Sequence, residues 1–98
     1  MEATERVEAS LIGLEAHLLD APEQALQCAH EALQASALAV GSAAQLAAHY
    51  ALAVALAATG NEEGAAVARR AAEALGSAHP QGAVWAAWHD QQLARLER

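Results

Sequence analysis

The chain has 98 residues and a net charge of −7, and its 30 alanines contrast with only three aromatic residues. This length allows one domain and excludes a two-domain enzyme with separate cofactor and substrate domains. The five basic residues are all arginines, and this acidic balance disfavours nucleic-acid binding, which requires a basic face to displace counterions from phosphates.

The composition favours an all-α fold, because alanine is the best helix former and there is little β-branched or aromatic material for a sheet. The single cysteine, Cys28, cannot form a disulfide within the chain, which is typical of a protein in a reducing compartment. The N-terminal segment 1–5 is acidic where a signal peptide would be basic. The most apolar stretch, 43–58, is shorter than the roughly 20 residues of a membrane span. We therefore expect a cytoplasmic protein that does not enter a membrane.

The first predicted helix runs from about Thr4 to Leu19. Its apolar stripe has the spacing i, i+4, i+7 and i+11 and consists of Val7, Leu11, Leu14 and Leu18. Asp20 or Ala21 should cap the second helix, in which Pro22 takes a first-turn position where its missing N–H is harmless. This second helix is predicted to continue to about Val40. Its core-facing residues should be Leu26, Ala29, Leu33 and either Ala37 or Val40.

Gly41 and Ser42 mark the next break, because Gly41 can adopt a left-handed conformation and Ser42 with Gln45 matches a capping box. The third helix, about 43–59, presents Leu46, Tyr50, Ala53, Leu56 and Ala57. Gly60 ends it, and Asn61 caps a fourth helix. The fourth helix runs to Gly76 and carries Val67, Ala71 and Leu75.

The turn 77–82 is rich in helix breakers and precedes a fifth helix at about 83–97, which holds Trp85, Trp88, Leu93 and Leu96. Short turns between five helices favour antiparallel neighbours. We therefore expect one all-α domain over residues 1–98. It should contain two antiparallel helix hairpins, about 4–40 and about 43–75, followed by the terminal helix.

The breaks at Asp20 and Gly60 lie forty residues apart, and such a period suggests a helical array. Each break follows a helix with a small residue in its middle (Gly13, Ala53) and precedes a pair of small residues on one helical face. These pairs are Ala25 with Ala32 and Ala65 with Ala72. The segment 52–65 resembles the hairpin signature of the tetratricopeptide repeat, and 12–25 is a weaker copy. The long period is similar to the variant in helical-repeat regions of large bacterial transcriptional activators and related signalling ATPases.

This resemblance implies an α-α superhelix and a non-catalytic protein–protein interaction module. The module would bind a protein segment, or self-associate, through an apolar face lined by the first helix of each hairpin. Carried onto this chain, that concave face would contain Leu11, Leu14, His17, Tyr50, Val54 and Trp88. Trp85 joins Trp88 as a candidate anchor for a partner, because tryptophan is enriched in binding hot spots.

Two alternatives accompany this interpretation. Both tryptophans can instead seal the end of a thin core, or they can be buried between the subunits of a small helical-bundle homodimer with a structural or regulatory role. An enzyme is the third class, and it needs convergent polar groups of which the sequence offers few.

The chemical motifs favour no catalytic residue, metal or cofactor. Segment 30–34 lacks the second histidine of the zinc-protease helix motif. Cys28 has no basic neighbour on its helical face, and no lysine follows Gly60 and Gly64, as a phosphate-binding loop would require. The pair Arg69–Arg70 is expected on a solvated face, close enough to pair with Glu62, Glu63 and Glu73.

Overall fold

The computed structural model describes residues 3–97, which form five helices joined by short turns and contain no strand. The helices are α1 (Ala3–His17), α2 (Pro22–Ser36), α3 (Ala43–Ala58), α4 (Glu62–Gly76) and α5 (Gly82–Leu96). Consecutive helices pack as adjacent antiparallel pairs, so the predicted all-α class is confirmed. The bounds of α2 and α4 are forty residues apart, and so are the first residues of α1 and α3.

The helix termini follow the local signals of the sequence. Gly41 and Gly60 have φ values of +78° and +86°, the left-handed region that glycine tolerates. The Ser42 hydroxyl accepts a hydrogen bond from the Gln45 amide, and the Asn61 side chain accepts one from the Gly64 amide. The Gly60 turn has both bonds of a Schellman motif, because the amides at 60 and 61 donate to the carbonyls of Ala57 and Leu56.

Helix α2 is shorter than predicted, ending at Ser36 and not near Val40. The Ser36 hydroxyl donates to the carbonyl of Leu33 at 3.2 Å, and the amide of Ala39 donates to the carbonyl of Ser36. These bonds between residues three positions apart replace the i→i−4 hydrogen bonds that would continue the α-helix. Ala37 and Val40 are consequently exposed, which corrects the expectation that one of them faces the core. Helix α1 likewise ends two residues early, at His17.

Helix α3 is the centre of the domain and contacts each of the other four helices. Nine of its 16 residues are buried, and six of the nine are alanines. Small side chains allow neighbouring backbones to approach closely, while Leu14, Leu18, Leu46, Val7 and Val54 supply the largest fully buried apolar side chains. An alanine-rich sequence thus gives a thin core organised around one helix.

Helix α5 packs more on α3 than on α4 and also reaches α1. The Gln92 amide donates to the carboxylate of Glu15 at 3.1 Å. The Arg95 guanidinium donates to the Glu15 carbonyl at 3.1 Å and to the side-chain oxygen of Gln92 at 2.6 Å. These bonds connect α5 to α1, so α5 covers part of the face of α1 and α3 that the superhelix interpretation leaves open. A cavity of about 220 Å³, lined by Val7, Leu11 and Trp85 among others, remains between the three helices.

Candidate interaction surfaces

Four of the seven residues predicted to bind a partner lie in the core. Leu14 and Val54 have no exposed surface, and Leu11 and Tyr50 are buried. A side chain without exposed surface cannot touch a partner bound to this conformation. His17 is exposed at the end of α1. The partner-binding role of these residues stays a prediction.

Trp85 and Trp88 are half-buried and stack edge to face, with ring centroids 5.7 Å apart. Both rings pack against the main core cluster and against a smaller cluster formed by Leu46, Tyr50 and Ala72. The indole nitrogen of Trp85 is buried and has no hydrogen-bond partner among residues 3–97. The two tryptophans therefore join α5 to the rest of the domain and fill the space that alanines leave empty.

The structure exposes a different set of large apolar side chains, namely Ile12, Leu19, Leu38, Val40, Val67 and Val84. Val67 is 62% exposed, although the sequence pattern placed it with Ala71 and Leu75 on the apolar side of α4. The buried positions of α4 are Ala68 and Ala72. The helix is thus rotated by about one residue from the predicted orientation, because its small residues allow the close approach to α3.

A groove of about 800 Å³ runs between α3 and α4, beside Val67. Leu52, Leu56, Val67 and Ala71 are the principal apolar residues of its lining, and its polar residues include His49, Glu63 and Arg70. Leu52 and Leu56 are only half-buried, so the groove presents leucine side chains to solvent. Its volume exceeds those of three other cavities of the described chain, which measure about 260, 400 and 220 Å³.

The first hairpin has a groove at the related position, between α1 and α2, with a volume of about 400 Å³. It is lined by Arg6, Ala9, Ser10, Glu31, Gln34 and Ala35. Ala9 and Glu31 lie forty residues before His49 and Ala71, which line the α3–α4 groove. Each hairpin thus has a groove at the equivalent position. The first groove is lined by four polar residues and two alanines and presents polar and apolar surface in similar amounts, whereas the second is mainly apolar.

Charged groups beside the α3–α4 groove have no ion pairs within residues 3–97. Neither the Arg69 nor the Arg70 guanidinium lies within ion-pair distance of a carboxylate in the described range, so the expected pairing of these arginines with glutamates does not occur. The Arg70 Nε atom instead donates to the carbonyl of Ala66 at 3.4 Å. Burial lowers the pKa of His49 below its ordinary value of 6.5.

A smaller cavity of about 260 Å³ lies between α3, α4 and α5, and its polar residues are Glu62, Arg69 and His89. His89 is only 4% exposed, and its Nδ1 atom lies 3.1 Å from Asp90 Oδ1. Its ring packs against Tyr50 at 5.5 Å. Burial, and then the carboxylates of Glu73 and Asp90, raise the pKa of Tyr50, while Arg69 acts in the opposite direction. Nothing in the sequence pattern indicated that His89 is buried.

Residues 3–97 contain no cluster of three or more His, Cys, Asp or Glu side chains that could hold a metal ion. Cys28 is half-buried beside Gly13, and burial together with Glu31 raises the pKa of its thiol. A raised pKa disfavours the thiolate, which is the nucleophilic form. No helix within the described range is long and apolar enough to cross a membrane.

Comparisons with protein-family models, curated protein sequences and solved structures give no significant match. The resemblance to tetratricopeptide repeats therefore rests on the residues quoted above and on the forty-residue spacing of the helices. The structure shows a five-helix all-α domain with exposed apolar residues.

Proposed function

We propose that this chain is a non-catalytic protein–protein interaction module, and that its binding surface is the groove between α3 and α4. A protein segment folded as an amphipathic helix would lie in this groove, with apolar side chains against Leu52, Leu56 and Val67. Helix-in-groove recognition of this kind uses apolar anchors at i, i+3, i+4 and i+7.

The contrast between the two hairpins carries the proposal. Both hairpins have the same helix spacing, so the fold alone does not require an apolar groove in either of them. The first groove contains Arg6, Glu31 and Gln34, whereas the second contains Leu52, Leu56 and Val67. Exposed apolar area costs free energy in water, about 0.8 kcal/mol per CH2 group that remains unburied. Its concentration in one of two related grooves is best explained by a partner that covers it.

The absence of a catalytic role is part of the same proposal. General acid–base or nucleophilic chemistry requires reactive groups within hydrogen-bond reach of a bound substrate. The polar residues beside Val67 are separated by apolar ones, and the thiol of Cys28 lies on another hairpin. An interaction surface needs only the apolar centre and polar rim that the groove offers.

Site-specific photo-cross-linking tests the proposal in cells that produce the chain. Val67 is replaced by p-benzoyl-phenylalanine, and Gln27, the exposed residue forty positions earlier, is replaced in a matched control. We expect a covalent adduct with a polypeptide from position 67 and none from position 27. The adduct should disappear when Ala71→Arg blocks the groove and persist with Glu31→Arg in the first hairpin.

Mass spectrometry of the adduct should map the cross-link to an amphipathic helix of the captured polypeptide. Absence of any protein adduct from position 67 contradicts the proposal. An equal yield from positions 67 and 27 does so as well, because it indicates unspecific contact.

A further inference from the structure

We propose that the α3–α4 groove is occupied by a second copy of this chain, packed antiparallel through α4 about a two-fold axis that passes close to Val67. This inference rests on the proposed function and specifies the partner. The order of charged and apolar residues along the exposed face of α4 carries it.

Helix α4 presents Glu63, Val67 and Arg70 on one face, because residues at i, i+4 and i+7 lie above one another on a helix. All three are exposed and lie along the α3–α4 groove. With a rise of about 1.5 Å per residue, Glu63 and Arg70 stand about 10 Å apart along the helix axis, on opposite sides of Val67. Along this face of α4, an acidic, an apolar and a basic side chain therefore follow one another.

A two-fold axis perpendicular to α4 reverses this order in the second copy. Glu63 of each copy then lies opposite Arg70 of the other, and the two Val67 side chains meet near the axis. An isologous interface requires such a self-complementary patch, because the same residues contribute from both sides. One apolar contact flanked by two ion pairs fixes both the antiparallel direction and the register.

Both charged side chains are available for such pairs. Arg70 makes its one side-chain hydrogen bond within residues 3–97 to the carbonyl of Ala66, on its own helix. Glu63 has no ion pair in that range. The net charge of −7 opposes the approach of two copies, so a stable contact has to place an arginine against a carboxylate.

Three of the exposed large apolar residues lie within helices, namely Ile12, Val67 and Val84, and the faces around Ile12 and Val84 lack this complementarity. Ile12 on α1 shares its face with Glu5 and Glu8, and no arginine of the described range lies there. Val84 on α5 shares its face with Ala87, Gln91 and, at i+11, Arg95. No carboxylate lies on this face, and Arg95 already donates to Gln92 and to the Glu15 carbonyl. Neither face carries both an acid and a free base, and this selects α4 among the helices.

Charge reversal tests the inference on the intact chain by sedimentation velocity at micromolar concentration. We expect the unmodified protein to dimerise, and Glu63→Arg and Arg70→Glu each to weaken dimerisation by at least about tenfold, because each places like charges opposite one another. An equimolar mixture of the two single variants should form a heterodimer, since all four charges are then complementary. The double variant E63R/R70E should dimerise like the unmodified protein.

Glu23→Arg is the matched control, because Glu23 occupies the same first-turn position in α2 that Glu63 occupies in α4. It should leave dimerisation unchanged. Circular dichroism checks that all variants retain their helices, as expected for exposed positions. A monomeric unmodified protein, or single variants that stay monomeric when mixed, overturns the inference.

The photo-cross-link at position 67 separates this inference from the proposed function. An adduct containing two copies of this chain supports both. An adduct with a different polypeptide overturns the second-copy inference while the interaction function stands, and the absence of an adduct overturns both.

Discussion

The helices of the two hairpins begin forty residues apart in the sequence, but their second helices pack against different neighbours. Helix α2 lies against both α1 and α3 and buries Ala25, Ala29, Ala32 and Ser36. Helix α4 packs chiefly on α3 and buries only Ala68 and Ala72. The difference arises because α5 packs chiefly on α3 and little on α4, while Glu15, Gln92 and Arg95 connect it to α1. One side of α4 is consequently left open.

Residues at equivalent positions reflect this difference. Ala32 and its counterpart Ala72 are both fully buried, so this position belongs to the common scaffold. Ala29 is buried, whereas its counterpart Arg69 is exposed beside the 260 Å³ cavity. Positions that remain small in both hairpins maintain helix contacts. Arg69, which replaces a small residue in the second hairpin, lies on the exposed side of α4.

Substitutions at the equivalent positions Ala29 and Arg69 should differ most in their effect on the free energy of unfolding. Ala29→Arg places a guanidinium without a partner in the core of the first hairpin, and we expect a loss of more than about 4 kcal/mol in the free energy of unfolding. Arg69→Ala changes an exposed residue and should alter it by less than about 0.5 kcal/mol. Urea denaturation followed by circular dichroism measures both. Similar losses in the two variants would show that the hairpins are equally enclosed.

Substitutions in the middle of the first helix of a hairpin should change the free energy of unfolding by a smaller amount. Gly13 and Cys28 of the first hairpin correspond to Ala53 and Ala68 of the second. A Cβ atom at Gly13 would lie 3.0 Å from Cys28 Sγ. Gly13→Ala should therefore stabilise the protein by about 0.5–1 kcal/mol when Cys28→Ala has removed the sulfur, because alanine favours the helix.

In the presence of Cys28, the gain from Gly13→Ala should be smaller. A double-mutant cycle based on chemical denaturation provides the comparison. Equal gains in the two backgrounds would contradict the account, because they would show that the sulfur does not limit the space at Gly13.

The smallest expected effect is the pH dependence of stability that comes from His49, which lines the α3–α4 groove. Burial lowers the pKa of His49 in the folded state, so the unfolded chain binds more protons than the folded chain as the pH falls below the ordinary value of 6.5. The stability that neutral His49 provides is present above that pH and is lost as the pH falls toward the folded-state pKa.

The variant His49→Gln should therefore lose less stability between pH 6.5 and pH 5 than the unmodified protein. Thermal unfolding at a series of pH values measures the difference. Exposed His30→Gln is the control and should retain the original pH profile. An unchanged profile in the position-49 variant would contradict the assigned cause.

Local signals in the sequence predicted most of the fold. Gly41, Ser42, Gly60 and Asn61 each act within a few residues, so their roles as helix ends and caps were readable without tertiary information. Together with the break before Pro22 and the turn after Gly76, their positions indicated the number of helices and most of the boundaries. Helix α2 departs most from its predicted end, because the bond from the Ser36 hydroxyl to the Leu33 carbonyl competes with an apolar pattern that continues to Val40.

The candidate site was less accessible to sequence analysis. With alanines on every side of α4, the pattern does not distinguish a face containing Val67 and Ala71 from one containing Ala68 and Ala72, and only packing against α3 selects the second. The contact between Glu15 and Arg95 joins residues eighty positions apart. No periodicity signals this contact, and it accompanies the burial of Leu11, Leu14, Tyr50 and Val54 in the core.

Disulfide trapping tests the central claim most directly, namely that α4 meets a second copy of itself at Val67. In a Cys28→Ala background, Val67→Cys places one thiol per chain next to the proposed two-fold axis, and Gln27→Cys places one at the equivalent position of the first hairpin. Mild oxidation should yield a covalent dimer from the position-67 variant and leave the position-27 variant monomeric. A position-67 variant that stays monomeric, or equal dimer yields from both, would contradict the account.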